Sequence, residues 1–151
     1  MRLGIISDTH GLLRPEAVRA LAGVDVIIHA GDVGRANILA DLAAIAPVHA
    51  VRGNVDVGDW AEALPEETVV EVAGRRLFVL HDVARLRGHP AAEGCDAVVF
   101  GHSHRVLVED RDAILYLNPG SAGPRRFSLP VTLATLEIGP GSLVPEIVAL
   151  V

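Results

Sequence analysis

The chain has 151 residues, half of them hydrophobic, a formal net charge of −6 and only 3% aromatics. This is the length and apolar content of one domain, residues 1–151, with a sizeable core, and the missing basic runs and aromatic platforms argue against a dedicated nucleic-acid surface. No apolar run is long enough to span a membrane, the N-terminus has no signal-peptide layout, and the one cysteine, Cys95, excludes an internal disulfide framework and is expected as a small buried hydrophobe. The expected setting is the cytoplasm, with no membrane partner.

In chain order, residues 3–6 form a first apolar strand. A loop at 11–13 leads to a helix that begins at Pro15 and continues over 16–21. Residues 24–29 are a second strand. A helix rich in Ala and Leu covers 37–46, Pro47 ends it, and 48–51 is the third strand. Residues 53–67 make a long irregular connection, a length that inside a compact domain usually marks function. From Thr68 the pattern becomes antiparallel. Residues 68–72 and 76–80 flank Ala73-Gly74-Arg75 as a hairpin. Residues 83–93 are helical in part, and 97–100 is another buried strand. Residues 106–109 and 113–117 around Asp110-Arg111-Asp112 make a second hairpin. Residues 131–138 and 143–149 around Gly139-Pro140-Gly141 make a third. The expected class is α/β, with a mixed sheet or two sheets face to face.

The residues just beyond the buried strands form a chemically coherent set. The first strand ends in Asp8-Thr9-His10, whose carboxylate and imidazole lie on one side of an extended run. The second ends in Gly31-Asp32, the third in Gly53-Asn54 and then Asp56. The strand over 76–80 ends in His81-Asp82, and that over 97–100 in Gly101-His102-Ser103-His104. Open α/β sheets bind ligands beyond the carboxyl ends of their strands. Asp8, His10, Asp32, Asn54, His81, His102 and His104 offer mixed oxygen and nitrogen donors, which suit Mn²⁺, Fe, Zn²⁺ or Ni²⁺ better than Ca²⁺. Seven donors exceed one tetrahedral ion and fit two ions sharing a carboxylate, about 3.5–4 Å apart. His29, His49 and His89 are read as structural or surface residues, since two lie in strand patterns and one in a Gly-His-Pro turn.

Taken together, Asp8-x-His10, Gly31-Asp32, Gly53-Asn54-x-Asp56, His81 and Gly101-His102-Ser103-His104 resemble the calcineurin-like metallophosphoesterase superfamily. The short length and Asn118-Pro119-Gly120-Ser121 resemble its small bacterial and archaeal phosphodiesterase branch. The resemblance implies a sandwich of two mixed sheets flanked by helices. It implies a first ion on Asp8, His10 and His104, a second on Asn54, His81 and His102, and Asp32 as the bridge. It makes the loop at 118–121 structural, and offers Arg125 or Arg126 as a phosphate contact, against the plainer reading of a solvated pair. The cofactors implied are two divalent transition-metal ions, Mn²⁺ first, with Zn²⁺, Ni²⁺ or Fe as alternatives. Two such ions carry four positive charges, and Asp8, Asp32 and a bridging hydroxide return three, so the site stays positive inside an acidic protein.

Two positions depart from the superfamily pattern. Many members carry a His after the Asn of this motif, near the leaving group, where this chain has Val55. Asp32, Asn54 and Asp56 are assigned to catalysis, while the general acid is left unidentified, with Asp56, Asp82 and a metal-bound water as its candidates. Asp82 stands where Gly is usual, as a supporting carboxylate or an obstacle to substrate. The expected function is a metal-dependent phosphodiesterase acting on a small phosphodiester. A non-catalytic protein-binding scaffold on the same fold is the alternative, metal sensing is a third class, and a homo-oligomer is left open.

Overall fold

A computed structural model describes the chain from residue 1 to 151, the side chain of Ala91 excepted. In chain order it contains β1 (Arg2–Ile6), α1 (Pro15–Ala20), β2 (Val26–His29), α2 (Ala36–Ala43), β3 (Val48–Ala50), α3 (Asp59–Glu62), β4 (Glu67–Val72) and β5 (Arg75–Leu80). Next come two single turns of 3₁₀ helix, Val83–Arg85 and Pro90–Glu93, and β6 (Ala97–Val99), β7 (Leu107–Arg111), β8 (Ile114–Asn118), β9 (Thr132–Gly139) and β10 (Ser142–Ala149).

These strands form two five-stranded sheets, ordered β10-β9-β1-β2-β3 and β4-β5-β6-β8-β7. Each sheet combines three parallel strands with antiparallel neighbours, and in the first sheet the parallel strands run to one edge. β1, β2 and β3 run together in the first, and β5, β6 and β8 in the second. Strand alternation explains how the sheets pack. Leu3, Ile5 and Ile28 of the first sheet and Leu77, Val79, Val99 and Leu117 of the second bury into one shared core. Ile6 and Ile27 point the other way, into a layer with Ala17 and Leu21 from the α1 segment and Ile38 and Leu42 of α2. The opposite outer face, with Phe78, Val98 and Tyr116, is closed by Cys95 and the turns around Val83 and Leu86. Cys95 is buried there, as expected. Gly4 lets the helical layer come close, because a Cβ at that position would overlap the Leu21 side chain.

The expected sandwich flanked by helices is therefore the observed one, with local corrections. The connection over 53–67 contains the single turn α3. α2 starts one residue early and stops at Ala43, three short of expectation. All three hairpin turns shrink to two residues, the third to Pro140-Gly141 with Gly139 in its strand. Ala73-Gly74 and Asp112-Ala113 each have both φ values positive (49° and 76°, 51° and 63°), so Arg75, Asp110 and Arg111 belong to strands. Such turns match the right-handed twist of the paired strands, and that match outweighs alanine's reluctance to adopt positive φ. Among the described residues, no helix is long and apolar enough to cross a membrane.

Candidate metal centre

The parallel strands supply the site. β1 leads into Asp8 and His10, β2 into Asp32, β3 into Asn54, β5 into His81, and β6 into His102 and His104. Strands that run parallel end at one edge, so the two sheets present these residues side by side. The backbone there is unusual. Asp8, His10, Asp32, His102 and His104 all have positive φ, between 47° and 74°. Non-glycine residues hold this conformation only where the surroundings over-determine it. Here the loops after β1 and β2 are zipped together by Asp8 N–H to Gly31 O (3.0 Å), His10 N–H to Asp32 O (3.0 Å) and Gly11 N–H to Val33 O (2.8 Å). Gly101 N–H donates to His81 O at 3.0 Å and joins the other two loops. Gly53 and Gly101 are needed for close approach, since a Cβ would overlap Asp32 at the first and the Ser7 hydroxyl at the second.

Three of the side chains have one polar atom held and the other left facing the cluster. The Asp8 Oδ2 accepts from the Ser7 hydroxyl (2.9 Å) and the His102 N–H (3.1 Å), while its buried Oδ1 has no partner. The Asp32 Oδ1 accepts from Val55 N–H at 3.1 Å, and its Oδ2 faces His10 and His81. The His81 Nδ1–H donates to the Ala30 carbonyl at 2.8 Å, and its buried Nε2 has no aligned partner. Hydrogen bonds of this kind fix a ligand's orientation and, for histidine, its tautomer.

The remaining atoms converge. His104 Nε2 lies 3.4 Å from Asp8 Oδ1 and 3.3 Å from His10 Nε2. His10 Nε2 lies 3.8 Å from Asp8 Oδ1 and 3.6 Å from Asp32 Oδ2. His81 Nε2 lies 3.2 Å from Asp32 Oδ2 and 3.8 Å from Asp8 Oδ1. At the exposed mouth, His102 Nδ1 lies 3.2 Å from Asn54 Oδ1. An ion bound at about 2.0–2.2 Å sets its ligand atoms roughly 3–3.5 Å apart, so the donor set fits divalent transition metals. Two groups each gather their donor atoms within 4.8 Å of one another and share Asp8: one with His10 and His104, one with Asp32 and His81. The Asp32 Oδ2 stands between one histidine of each expected ligand set.

Electrostatics in the cluster reflect burial and crowding. For the Asp32 carboxyl, burial pushes the pKa up, but the His81 ring, the Val55 N–H and His10 together hold it below the usual value. Burial pulls the His81 imidazole down, yet Asp32, Asp8 and the Ala30 carbonyl outweigh it and the net shift is upward. His10 goes the other way: burial dominates the pull of Asp32 and Asp8, with Arg126 and His104 adding to the decrease.

Asp56 is buried, and its oxygens accept from three backbone donors: Val33 N–H (3.2 Å), Gly34 N–H (2.9 Å) and Gly53 N–H (2.9 Å). Through these three donors Asp56 ties the Asp32 loop to the Asn54 loop. Asp82 caps the turn at Val83–Arg85, accepting from Ala84 N–H at 3.0 Å, and belongs to neither candidate metal group. Asn118 donates to Gly101 O (3.1 Å) and the Ser103 hydroxyl, and the Ser121 hydroxyl donates to Asp8 O (3.0 Å), which makes the loop at 118–121 a brace. His49 is exposed on β3, and exposed His89 lies 3.5 Å from Asp112.

Three supporting residues below the cluster are not evident from the sequence pattern. Besides Ser7, His29 and Thr9 form a buried chain. His29 Nδ1 accepts from Gly31 N–H (3.1 Å), its Nε2 meets the Thr9 hydroxyl (3.0 Å), and that hydroxyl donates to Val33 O (2.8 Å). Burial pushes the His29 pKa down to about 4, so the ring is neutral and structural, as its strand position suggests. A polar residue in an otherwise apolar strand was the available signal.

The sequence profile of the calcineurin-like phosphoesterase superfamily domain matches residues 1–141. A probable metallophosphoesterase of Methanothermobacter thermautotrophicus is 34% identical over 98% of this chain and 92% of its own length. Phosphodiesterase YfcE of Escherichia coli is 29% identical over 91% of this chain and 88% of its own. Among solved structures, Vps29 of Chaetomium thermophilum superposes with a TM-score of 0.79 at 19% identity, over 97% of this chain and 95% of that one.

Proposed function

The chain belongs to the calcineurin-like phosphoesterase superfamily and is a hydrolase acting on phosphoric esters, and from that premise we propose that it is a phosphodiesterase with a two-ion centre. In this reading Asp8, His10 and His104 hold one ion, Asn54, His81 and His102 hold the other, and Asp32 bridges them. The observation that carries it is the set of buried, unpartnered atoms, Asp8 Oδ1 and His81 Nε2, aimed at the space where Asp32 Oδ2 and His104 Nε2 also point. Buried polar groups without partners are costly, so their clustering favours a cation.

When bound, divalent ions would supply a nucleophile from water at neutral pH and positive charge for the phosphoryl oxygens. The protein's part is orientation. Ser7 and the His102 N–H turn Asp8, the Val55 N–H turns Asp32, and Ala30 fixes the His81 tautomer. Asp56 positions the Asp32 and Asn54 loops and is not assigned to proton transfer. Mixed carboxylate and imidazole donors suit Mn²⁺ first, with Zn²⁺, Ni²⁺ or Fe as alternatives. The substrate is a small phosphodiester. A protein-binding scaffold is the weaker reading, because a scaffold does not require buried, unpartnered donor atoms gathered at one point.

The test is hydrolysis by metal-stripped protein, with Mn²⁺, Zn²⁺, Ni²⁺ and Mg²⁺ returned in turn. Bis(p-nitrophenyl) phosphate should be turned over with a transition-metal ion and faster than p-nitrophenyl phosphate. No hydrolysis with any of the ions, or a preference for the monoester, would contradict the proposal.

A further inference from the structure

Asp32, the proposed bridge, lies on a loop that is held from both sides. On one side Asp56 fastens it to the Asn54 loop. On the other stands the buried chain through His29 and Thr9, both wholly out of contact with water. Each bond in that chain has one direction. The Gly31 N–H can only donate, so His29 Nδ1 accepts it (3.1 Å) and the neutral ring carries its proton on Nε2. That N–H donates to the Thr9 hydroxyl (3.0 Å), whose own proton goes to the Val33 carbonyl (2.8 Å). Both ring nitrogens and the hydroxyl proton are thereby satisfied.

The chain ends on the immediate neighbours of three ligands. Gly31 and Val33 flank Asp32, and Thr9 sits between Asp8 and His10. Those three ligands have φ values of 55°, 55° and 47° for Asp32, Asp8 and His10. Non-glycine residues keep such a backbone only where their surroundings impose it. Backbone bonds join the same two loops at Asp8 with Gly31 and at His10 with Asp32. The side-chain chain adds an attachment between them, at Thr9, and holds the loop on either side of Asp32. The core alone has no use for an imidazole here. Ile27 and Ile28, the residues before it in β2, are fully buried hydrophobes, and a buried polar ring is costly unless every polar atom is bonded.

We propose that His29 and Thr9 are positioning residues of the metal centre: their chain sets Asp32 against Asp8 and His10, and with it the affinity for the ions those residues hold. Neither is a ligand, and each acts through the backbone of its neighbours. The inference rests on the two-ion reading above and adds two residues outside the ligand set. Groups that orient a ligand without touching the ion contribute roughly 10–100-fold to metal affinity. A chain of bonds also fails as a unit, so a second break in it costs little more than the first.

Calorimetric titration of metal-stripped protein with Mn²⁺, below the melting transition of every variant, tests this without requiring turnover. Thr9→Val keeps the branched shape and removes the hydroxyl, whereas Thr9→Ser keeps the hydroxyl. His29→Asn puts an amide oxygen near the place of Nδ1, so Gly31 N–H keeps an acceptor while the link to Thr9 is lost. Thr9→Val and His29→Asn should each weaken Mn²⁺ binding by ~10-fold or more. The double variant should lose little beyond either single one, and Thr9→Ser should bind close to the wild-type level. Wild-type affinity in both single variants, with only a lower melting temperature, overturns the proposal, because the chain then serves the fold alone. Losses that multiply in the double variant, or a loss in Thr9→Ser as large as in Thr9→Val, also overturn it. If one of the two bond-breaking variants does not fold, the other decides against Thr9→Ser; if neither folds, the fold accounts for the chain and the proposal fails. Weakened binding in variants of a protein that hydrolyses no diester would leave this inference standing and sink the phosphodiesterase reading. Diester hydrolysis by a two-ion protein whose affinity survives both substitutions would do the reverse.

Discussion

Asp32→Asn is expected to lower diester turnover at saturating Mn²⁺ by ~10²–10³-fold or more, the scale of removing one preorganised electrostatic group. The side chain is nearly isosteric, so the fold should survive and the loss should come from the charge. Asp32 Oδ2 stands 3.6 Å from His10 and 3.2 Å from His81, and its Oδ1 is held by Val55 N–H. A residue between both histidines should matter to both ions. His104→Ala touches one proposed set only, and excess Mn²⁺ should restore part of its activity. Steady-state rates across a Mn²⁺ titration separate the two variants. Turnover near the wild-type level in Asp32→Asn would place the chemistry elsewhere.

The second large effect is a steep fall in rate as leaving-group pKa rises. An alkoxide of high pKa needs a proton as it departs, and a positioned acid typically contributes ~10²–10⁴-fold. The structure leaves little to supply one. Position 55 is valine, Asp56 is occupied by three backbone donors, and Asp82 caps a turn. Val55 is 43% exposed and its backbone touches the proposed bridge, so a longer side chain there emerges at the mouth of the site. Val55→His should therefore raise the rates of poor leaving groups more than those of good ones. Turnover of a series of aryl methyl phosphates by both proteins measures this. A flat dependence in the wild type would reveal an acid other than these. An equal gain across the series would show that position 55 does not face the leaving oxygen.

The ligands were legible because buried parallel strands read as short apolar runs, and each such run ends abruptly in Gly, Asp, Asn or His. Their division between two sheets was not. Strand order depends on pairings such as Ile5 with Ala134, which no local pattern announces. The role of Asp56 was hidden for the same reason: Asn-x-Asp does not say that two of the three donors come from Val33 and Gly34, over twenty residues earlier. Turn placement slipped because Ala73 and Ala113 adopt positive φ, a conformation that alanine does not advertise. His29 is structural, as its strand position implies, but its link through Thr9 to the Asp32 loop requires the fold.

The central claim is a centre for two ions, and counting them tests it most directly. Metal-stripped protein is titrated with Mn²⁺, bound metal is measured by elemental analysis after removal of free ion, and diester hydrolysis is monitored at each step. A two-ion centre predicts saturation at two ions per chain, with full activity reached only as the second binds. Saturation at one ion, or no stoichiometric binding, would contradict it.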